Sequence, residues 1–246
     1  MPDALPTPTA AVAGSLQVHL LGLVDYEAAL ALQERLAYEV SGGIDTQGVL
    51  LLCEHPPMIS IGRQGSRSHV LACDHDLAAC QMQVRWVARG GGAIVHAPGQ
   101  LAVTPILPLD RLQMNVSEYR LRLETALVAA CREQQVPAKR TPDTPGVWCR
   151  GGQLASFGAS LKYGTTLHGA VLNVHPDPAF LKMVDSSPPG VRVTSLEAQR
   201  GRRVQMNHVR ESLLRHFSCA FGYERVHVYT SHPLLQRTTQ RVCLNV

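Results

Sequence analysis

The stretch of this 246-residue chain best suited to chemistry is Arg89-Gly90-Gly91-Gly92-Ala93-Ile94-Val95-His96, which runs on into Ala97-Pro98-Gly99-Gln100. Three glycines remove every side chain from the turn and allow backbone angles closed to other residues, so something can approach the bare main chain. An acyl chain or a phosphate could lie there. His96 adds a group that donates or accepts a proton near neutrality. The same residues would also suit a glycine-rich hairpin with a structural histidine. Two phosphate-binding patterns are excluded, because G-x-G-x-x-G spacing is absent, no helical pattern follows the glycines, and no Gly-Lys-Ser/Thr tripeptide occurs.

Two later segments carry the remaining candidates. Gly152-Gln153-Leu154-Ala155-Ser156-Phe157-Gly158 and Thr165-Thr166-Leu167-His168-Gly169-Ala170-Val171-Leu172-Asn173 are apolar runs interrupted by single polar residues and glycines. Such runs can wall a binding cavity, with His168 and Asn173 offering hydrogen bonds at its mouth. Buried polar groups of this kind are also common as satisfied parts of a core.

The order of these segments resembles that of the lipoyl(octanoyl) transferases. Arg89 to Gln100 is similar to their R-G-G-x-x-x-x-H-x-P-G-Q signature, which recurs more loosely in lipoate and biotin protein ligases. Thr165 to Asn173 is similar to T-x-H-G-x-A-L-N, and Val193-Thr194-Ser195-Leu196 to the V-T-S-L that ends the family's catalytic loop. Glu54-His55-Pro56 and Pro145-Gly146-Val147-Trp148 are weaker matches, and the whole likeness spans Leu16 to Phe217. It implies an acyl pocket lined by Arg89, Gly90, Gly91, Gly92, Ala93, Ile94, Val95, His96, Ser156, Phe157, Gly158, His168, Gly169, Ala170 and Val171. That pocket should be elongated and mainly hydrophobic, walled near Val95, Leu154, Phe157 and Val171, with few polar groups at one end.

The chain departs from the family at two positions. Family members carry a cysteine in a P-C-G loop and a lysine in K-I-A-x-x-G. Counting without gaps from Phe180 and back from Val193 puts Ser186 at the cysteine position, and Gln153 occupies the lysine position. A thiolate is a strong nucleophile, whereas a serine hydroxyl needs a general base within hydrogen-bond reach. An amide cannot be that base, so the role falls to His96 or His168. The catalytic candidates are therefore Ser186, Gln153 and His96.

The resemblance implies transfer of an octanoyl or lipoyl group from octanoyl-acyl carrier protein to a lysine of a lipoyl domain. The acceptors would be the 2-oxoacid dehydrogenases and the glycine cleavage H protein. No cofactor and no metal is implied. The alternative is a family member that binds acyl chains or lipoyl domains without transfer. An ATP-dependent ligase fits less well, because related ligases keep the lysine that Gln153 replaces.

The elements that must position these residues form an α+β pattern. Leu16 to Leu20 reads as a strand, and Asp25 can cap a helix whose Leu32, Leu36 and Val40 share one face before Gly42 and Gly43 stop it. Val49 to Cys53 and Val84 to Ala88 read as strands. Asn115 followed by Glu118 marks a second helix, and a third runs near Asn207 to Phe217 with Gly222 beyond it. Val147 to Asn173 predicts meandering strands broken by glycine pairs. The expected fold is a mixed β-sheet with flanking helices, and the resemblance sharpens this to a biotin/lipoate protein ligase-like, class II synthetase-like fold. Residues 1–14 read as a disordered lead and residues 15–246 as a single catalytic domain.

Composition narrows the partners. Aromatic residues make up only 5% of the chain, too few for a base-stacking surface, so no nucleic acid is expected. No apolar run approaches the roughly 20 residues of a membrane helix. Seven cysteines without CxxC pairs fit reduced thiols, and the N-terminal segment lacks a secretory or organelle pattern, so a cytoplasmic protein is expected. The net charge of +4 favours acidic partners such as a carrier protein, steered by Arg63, Arg67, Arg89 or Lys162 near the pocket mouth. Arg200, Arg202 and Arg203 read as a solvated loop.

Overall fold

The Asp25 carboxylate accepts the Ala28 N–H and starts the first helix, which Gly43 ends. The structure, a computed structural model, describes residues 12–185 and 190–235. In chain order the described elements begin with β1 (Val12–Leu23), α1 (Tyr26–Gly42), β2 (Gly48–Glu54), β3 (Met58–Ile61), α2 (Asp74–Ala79) and β4 (Gln83–Trp86). They continue through β5 (Ala93–His96), β6 (Gln100–Ile106), α3 (Val116–Glu133), β7 (Lys139–Arg140), β8 (Val147–Cys149) and β9 (Gly152–Lys162). The last are β10 (Thr165–Asn173), α4 (Pro178–Leu181), α5 (Leu196–Arg200), α6 (Met206–Phe221) and β11 (Tyr223–Tyr229).

Among the described residues eight strands form one sheet in the order β11-β1-β2-β6-β10-β9-β8-β7, and β4-β3-β5 form a smaller one. The large sheet is mixed: β1 runs parallel to β2 and β11, while β2, β6, β10 and β9 are successively antiparallel. This is the expected α+β architecture. β1 starts at Val12, inside the stretch that read as a lead, and more helices flank the sheet than the three the periodicity marks. Val147 to Asn173 does form strands, but β9 and β10 are 11 and 9 residues long, because Gly158 and Gly169 sit within the ladder rather than breaking it.

One face of the large sheet carries the main core. Leu50, Leu52, Leu101, Val103 and Leu172 pack there against Tyr119, Leu123 and Leu127 of α3 and Leu213, Phe217 and Phe221 of α6. The other face is only partly covered. α1 lies over it with Leu32 and Leu36 on Leu51 and Ile106, and the small sheet stands beside it on its own core of Ile59, Ile61, Val95 and Phe180. The space left between α1, the small sheet and the large sheet is the cleft described next. No described helix is long and apolar enough to cross a membrane.

Candidate active site

Three segments far apart in the sequence meet at this cleft through the period-two alternation of strands. From β5, Ile94 and His96 face it, while Ala93 and Val95 point into the small sheet's core. From β9, Ser156 and Gly158 line it, while Phe157 turns to the opposite face beside Tyr119. From β10, His168, Gly169, Ala170 and Val171 line it. Arg89 completes the set from the loop before β5. Of the expected apolar walls only Val171 reaches the cleft, since Val95, Leu154 and Phe157 belong to the two cores.

Tyr26 and Gln33 of α1, His55, and Ala102 and Thr104 of β6 also line the cleft. The sequence motifs do not mark these for the site, with the exception of His55 in Glu54-His55-Pro56. Eight of the fourteen lining residues are polar or charged, more than the few expected. The cleft is narrow and partly open to solvent, with a cavity volume of about 30 Å³.

The glycine turn has a different neighbour from the one its composition suggested. Arg89 is buried and folds back over its own turn, donating from Nη1 to Gly90 O at 2.9 Å and from Nη2 to Ser60 O at 2.9 Å and Ser60 Oγ at 2.7 Å. Gly90 N–H donates to Ala159 O of β9, and the carbonyls of Gly91 and Gly92 accept from Gln64 and Gly62. A Cβ at Gly158 would stand 2.5 Å from Gly90 O and 3.1 Å from Arg89 Nη1, and one at Gly62 would stand 2.8 Å from Nη1. The bare backbone therefore admits the guanidinium and a neighbouring strand. Gly91, at φ 77°, is where the turn itself requires glycine.

His96 Nε2 lies 2.8 Å from Ser60 Oγ, and its Nδ1 is buried without a partner among the described residues. Burial holds its imidazole well below the ordinary value, reinforced by His55, Arg89 and His168. The rings of Tyr26, His55 and His96 pack mutually at centroid distances of 5.0 to 5.6 Å. His55 Nδ1 donates to Val24 O at 2.8 Å, so its Nε2 accepts the Cys53 thiol proton at 3.6 Å. Burial also pushes the Cys53 thiol up to about 12.

His168 sits where the β6–β10 ladder fails. Pro105 of β6 has no N–H to give, and the pairing of the two strands is regular only from Ala170 to Asn173. His168 turns into the left-handed region at φ 58°, and its N–H goes instead to Gln33 Oε1 at 3.1 Å. Burial, with help from Arg89 and Arg63, lowers its imidazole to about 4. The histidines facing the cleft are thus neutral near pH 7, and the buried charge beside them is Arg89, which burial lowers only to about 10. The lining residues include no lysine and no carboxylate. Such a site can polarise a carbonyl with neutral N–H donors or accept a proton weakly.

Gln153 is buried at the start of β9, outside the cleft lining. Its Oε1 lies 3.5 Å from Ser156 Oγ, its Nε2 3.4 Å from Pro145 O, and its backbone pairs with Arg192 and Thr194. That pairing brings residues 192–194 against β9. Ser186 lies outside the described residues, between Asp185, whose N–H donates to His69 O, and Gly190, whose N–H donates to Asp185 Oδ1. Asn173 does not reach the cleft mouth: it accepts from Gln100 Nε2 and donates to Thr194 O, tying three motif segments together. Glu54 holds the second turn in place by accepting from Gly99 N–H and pairing with Arg210 of α6 at 2.9 Å.

The description of the lipoyl protein ligase A/B catalytic domain matches residues 25–218 of this chain. An octanoyltransferase of Geobacter metallireducens is 37% identical over 221 residues, covering 89% of this chain and 99% of its own. An octanoyltransferase of Roseiflexus sp. (strain RS-1) is 35% identical over 221 residues, covering 88% and 92%. In fold, the chain is similar to a T. acidophilum protein described as a lipoate protein ligase with bound lipoic acid, with a TM-score of 0.71, 19% identity and coverage of 89% and 90%. Sequence relatives over most of their length and a shared fold agree with the motif segments that meet at the cleft, and this chain belongs to the lipoyl protein ligase A/B catalytic family, among its octanoyltransferases.

Proposed function

We propose that this chain is a cytoplasmic enzyme of protein lipoylation. It moves an octanoyl group from octanoyl-acyl carrier protein to a lysine of lipoyl domains, those of the 2-oxoacid dehydrogenases and the glycine cleavage H protein. The observation that carries this reading is the convergence of Arg89, His96, Ser156, His168 and Val171 on one narrow cleft, in a chain 35% and 37% identical to octanoyltransferases. The lipoyl-domain acceptor is supported by a fold shared with a T. acidophilum ligase whose structure is described with its E2 lipoyl domain, at a TM-score of 0.66.

In this reading Ser186 Oγ attacks the carrier thioester, the C–S bond breaks and the hydroxyl proton leaves with the carrier thiol. The acceptor lysine amine then attacks the Ser186 ester, the C–Oγ bond breaks and the amine's proton returns to Oγ. A neutral His96 lends its free Nδ1 to the thioester carbonyl, a donor that holds no charge to be displaced as the oxyanion forms. Gln153, with no proton to exchange, keeps the loop end in place through its backbone pairing with Arg192 and Thr194. Mass spectrometry of the protein after incubation with octanoyl-acyl carrier protein tests this. A mass gain of one octanoyl group mapped to Ser186 is expected. Octanoylation of an added lipoyl domain without any adduct on the protein would instead assign direct attack by the acceptor amine. No adduct and no transfer would reject the reading.

A further inference from the structure

The register of the large sheet lays four residues side by side on the cleft face. Ser156 of β9 is opposite Val171 of β10, Val171 is opposite Ala102 of β6, and Ala102 is opposite Cys53 of β2. Residues directly opposite in paired strands share a face, so these form a row across the floor. Ser156, Val171 and Ala102 line the cleft, and Cys53 is the next in the row.

The two ends of the row differ. At the Ser156 end, Gln153 of the same strand places its Oε1 3.5 Å from Ser156 Oγ, and its backbone pairs with Arg192 and Thr194. At the Cys53 end the floor closes. The thiol is buried and packs with Val24 and Ala29 as well as Ala102, and it is fixed by its hydrogen bond to His55, which is itself fixed on Val24 O. Neighbouring strands are about 4.8 Å apart, so Ala102 lies about 10 Å and Cys53 about 14 Å from Ser156. An extended octanoyl group measures about 9 Å from its carbonyl carbon to its methyl carbon, with carbon–carbon bonds of about 1.5 Å.

We infer that Cys53 is the end stop of the acyl cleft and sets the chain length it accepts. An acyl group with its carbonyl at the Ser156 end and its chain along the row puts its eighth carbon over Ala102, against the Cys53 side chain. A tenth carbon would need the space that the thiol occupies. The inference rests on the octanoyl-transfer reading, because that reading decides which end of the row holds the carbonyl.

Isothermal titration calorimetry of the full chain with hexanoate, octanoate and decanoate tests it. The unaltered protein should prefer octanoate. Cys53→Ala should raise decanoate binding relative to octanoate by at least about tenfold, the usual worth of room for added methylenes. Cys53→Ser, which keeps both the size and a donor for His55, should keep the octanoate preference. Cys53→Met should move the preference towards hexanoate, a readout that survives if the alanine variant folds poorly. Octanoate binding with the same ranking in all three variants would overturn the end stop and leave the transfer reading standing. Failure of the unaltered protein to bind any of the three acids would overturn both.

Discussion

Gln33 Oε1 accepts the main-chain N–H of His168 at 3.1 Å, so one side chain of α1 satisfies the backbone of a histidine held at φ 58° in the floor of the cleft. Replacing Gln33 by Leu removes the acceptor and leaves a buried N–H unpaired, which costs about 1–3 kcal/mol. Urea unfolding should show that loss, and the His168 imidazole resonances should broaden or shift. An unchanged unfolding midpoint would mean that His168 keeps its conformation without α1.

The low proton affinity of His168 makes stability depend on pH. Its folded value of about 4 lies below the ordinary 6.5, so the unfolded chain binds more protons between those values and stability rises with pH there. The contribution is fully present above pH 6.5 and is lost as pH falls towards 4, about 3 kcal/mol in all at 1.36 kcal/mol per pH unit. His96, shifted in the same direction, adds to the loss. Unfolding free energies measured from pH 7 to pH 4.5 should fall steeply. His168→Asn, which tolerates the left-handed backbone, should flatten the curve. A variant as acid-sensitive as the parent would remove His168 from the explanation.

Gly158 lies where β9 meets the glycine turn. A methyl group there would stand 2.5 Å from Gly90 O and 3.1 Å from Arg89 Nη1, and the backbone carbonyl cannot move aside cheaply. Gly158→Ala should destabilise the protein by about 1–3 kcal/mol, the usual cost of overpacking. Thermal denaturation with an unshifted midpoint would show that the turn yields more easily than its hydrogen bonds suggest.

Of the four basic residues expected at the mouth, Arg67 pairs with Asp74, Lys162 lies 3.6 Å from Glu34, and Arg89 is buried in the turn. Arg63 is exposed, is close enough to act on His168, and makes no ion pair among the described residues. Arg63→Glu should slow association with an acidic carrier protein, and added salt should shrink the difference between variant and parent. Equal association rates at low salt would leave Arg63 without a steering role.

Ser186→Cys combined with Gln153→Lys should greatly raise octanoyl transfer, while either change alone should do little. The thiol is the better nucleophile and leaving group, but it stays largely protonated without an ammonium beside it. Effects of groups that act as a unit are non-additive. Gel assays of lipoyl-domain octanoylation, with the thioester trapped on residue 186, measure this. A silent double variant that still binds octanoate would show that the cleft has diverged beyond those two positions.

The fold was legible in the sequence where local signals and tertiary packing agree. Asp25 and Asn115 cap the helices they were read to cap, and the Gly48–Glu54 run is a buried strand. β5 and β6 were less legible, because Gly90 to Gly92 and Pro98-Gly99 read as turns and masked the strands between and after them. The motif segments located the cleft, but not which side chains would face it. Val95 and Phe157 are apolar and adjacent to lining residues, yet strand alternation sends both into cores. Gln33 carries no motif, and its role depends on a tertiary contact, the N–H of His168 left unpaired where the β6–β10 ladder ends, which no local pattern encodes.

The ion pair between Glu54 and Arg210 spans 156 positions of the chain, and the same carboxylate holds the N–H of Gly99. During synthesis the strands that floor the cleft leave the ribosome long before α6 does. Until Arg210 arrives, Glu54 carries its charge beside the second glycine turn without its cation, and Thr194 has only just become available to Asn173. The cleft can therefore take its final shape only after α6 has been made. A nascent chain stalled before residue 206 should expose the cleft strands to chaperones rather than to acyl groups.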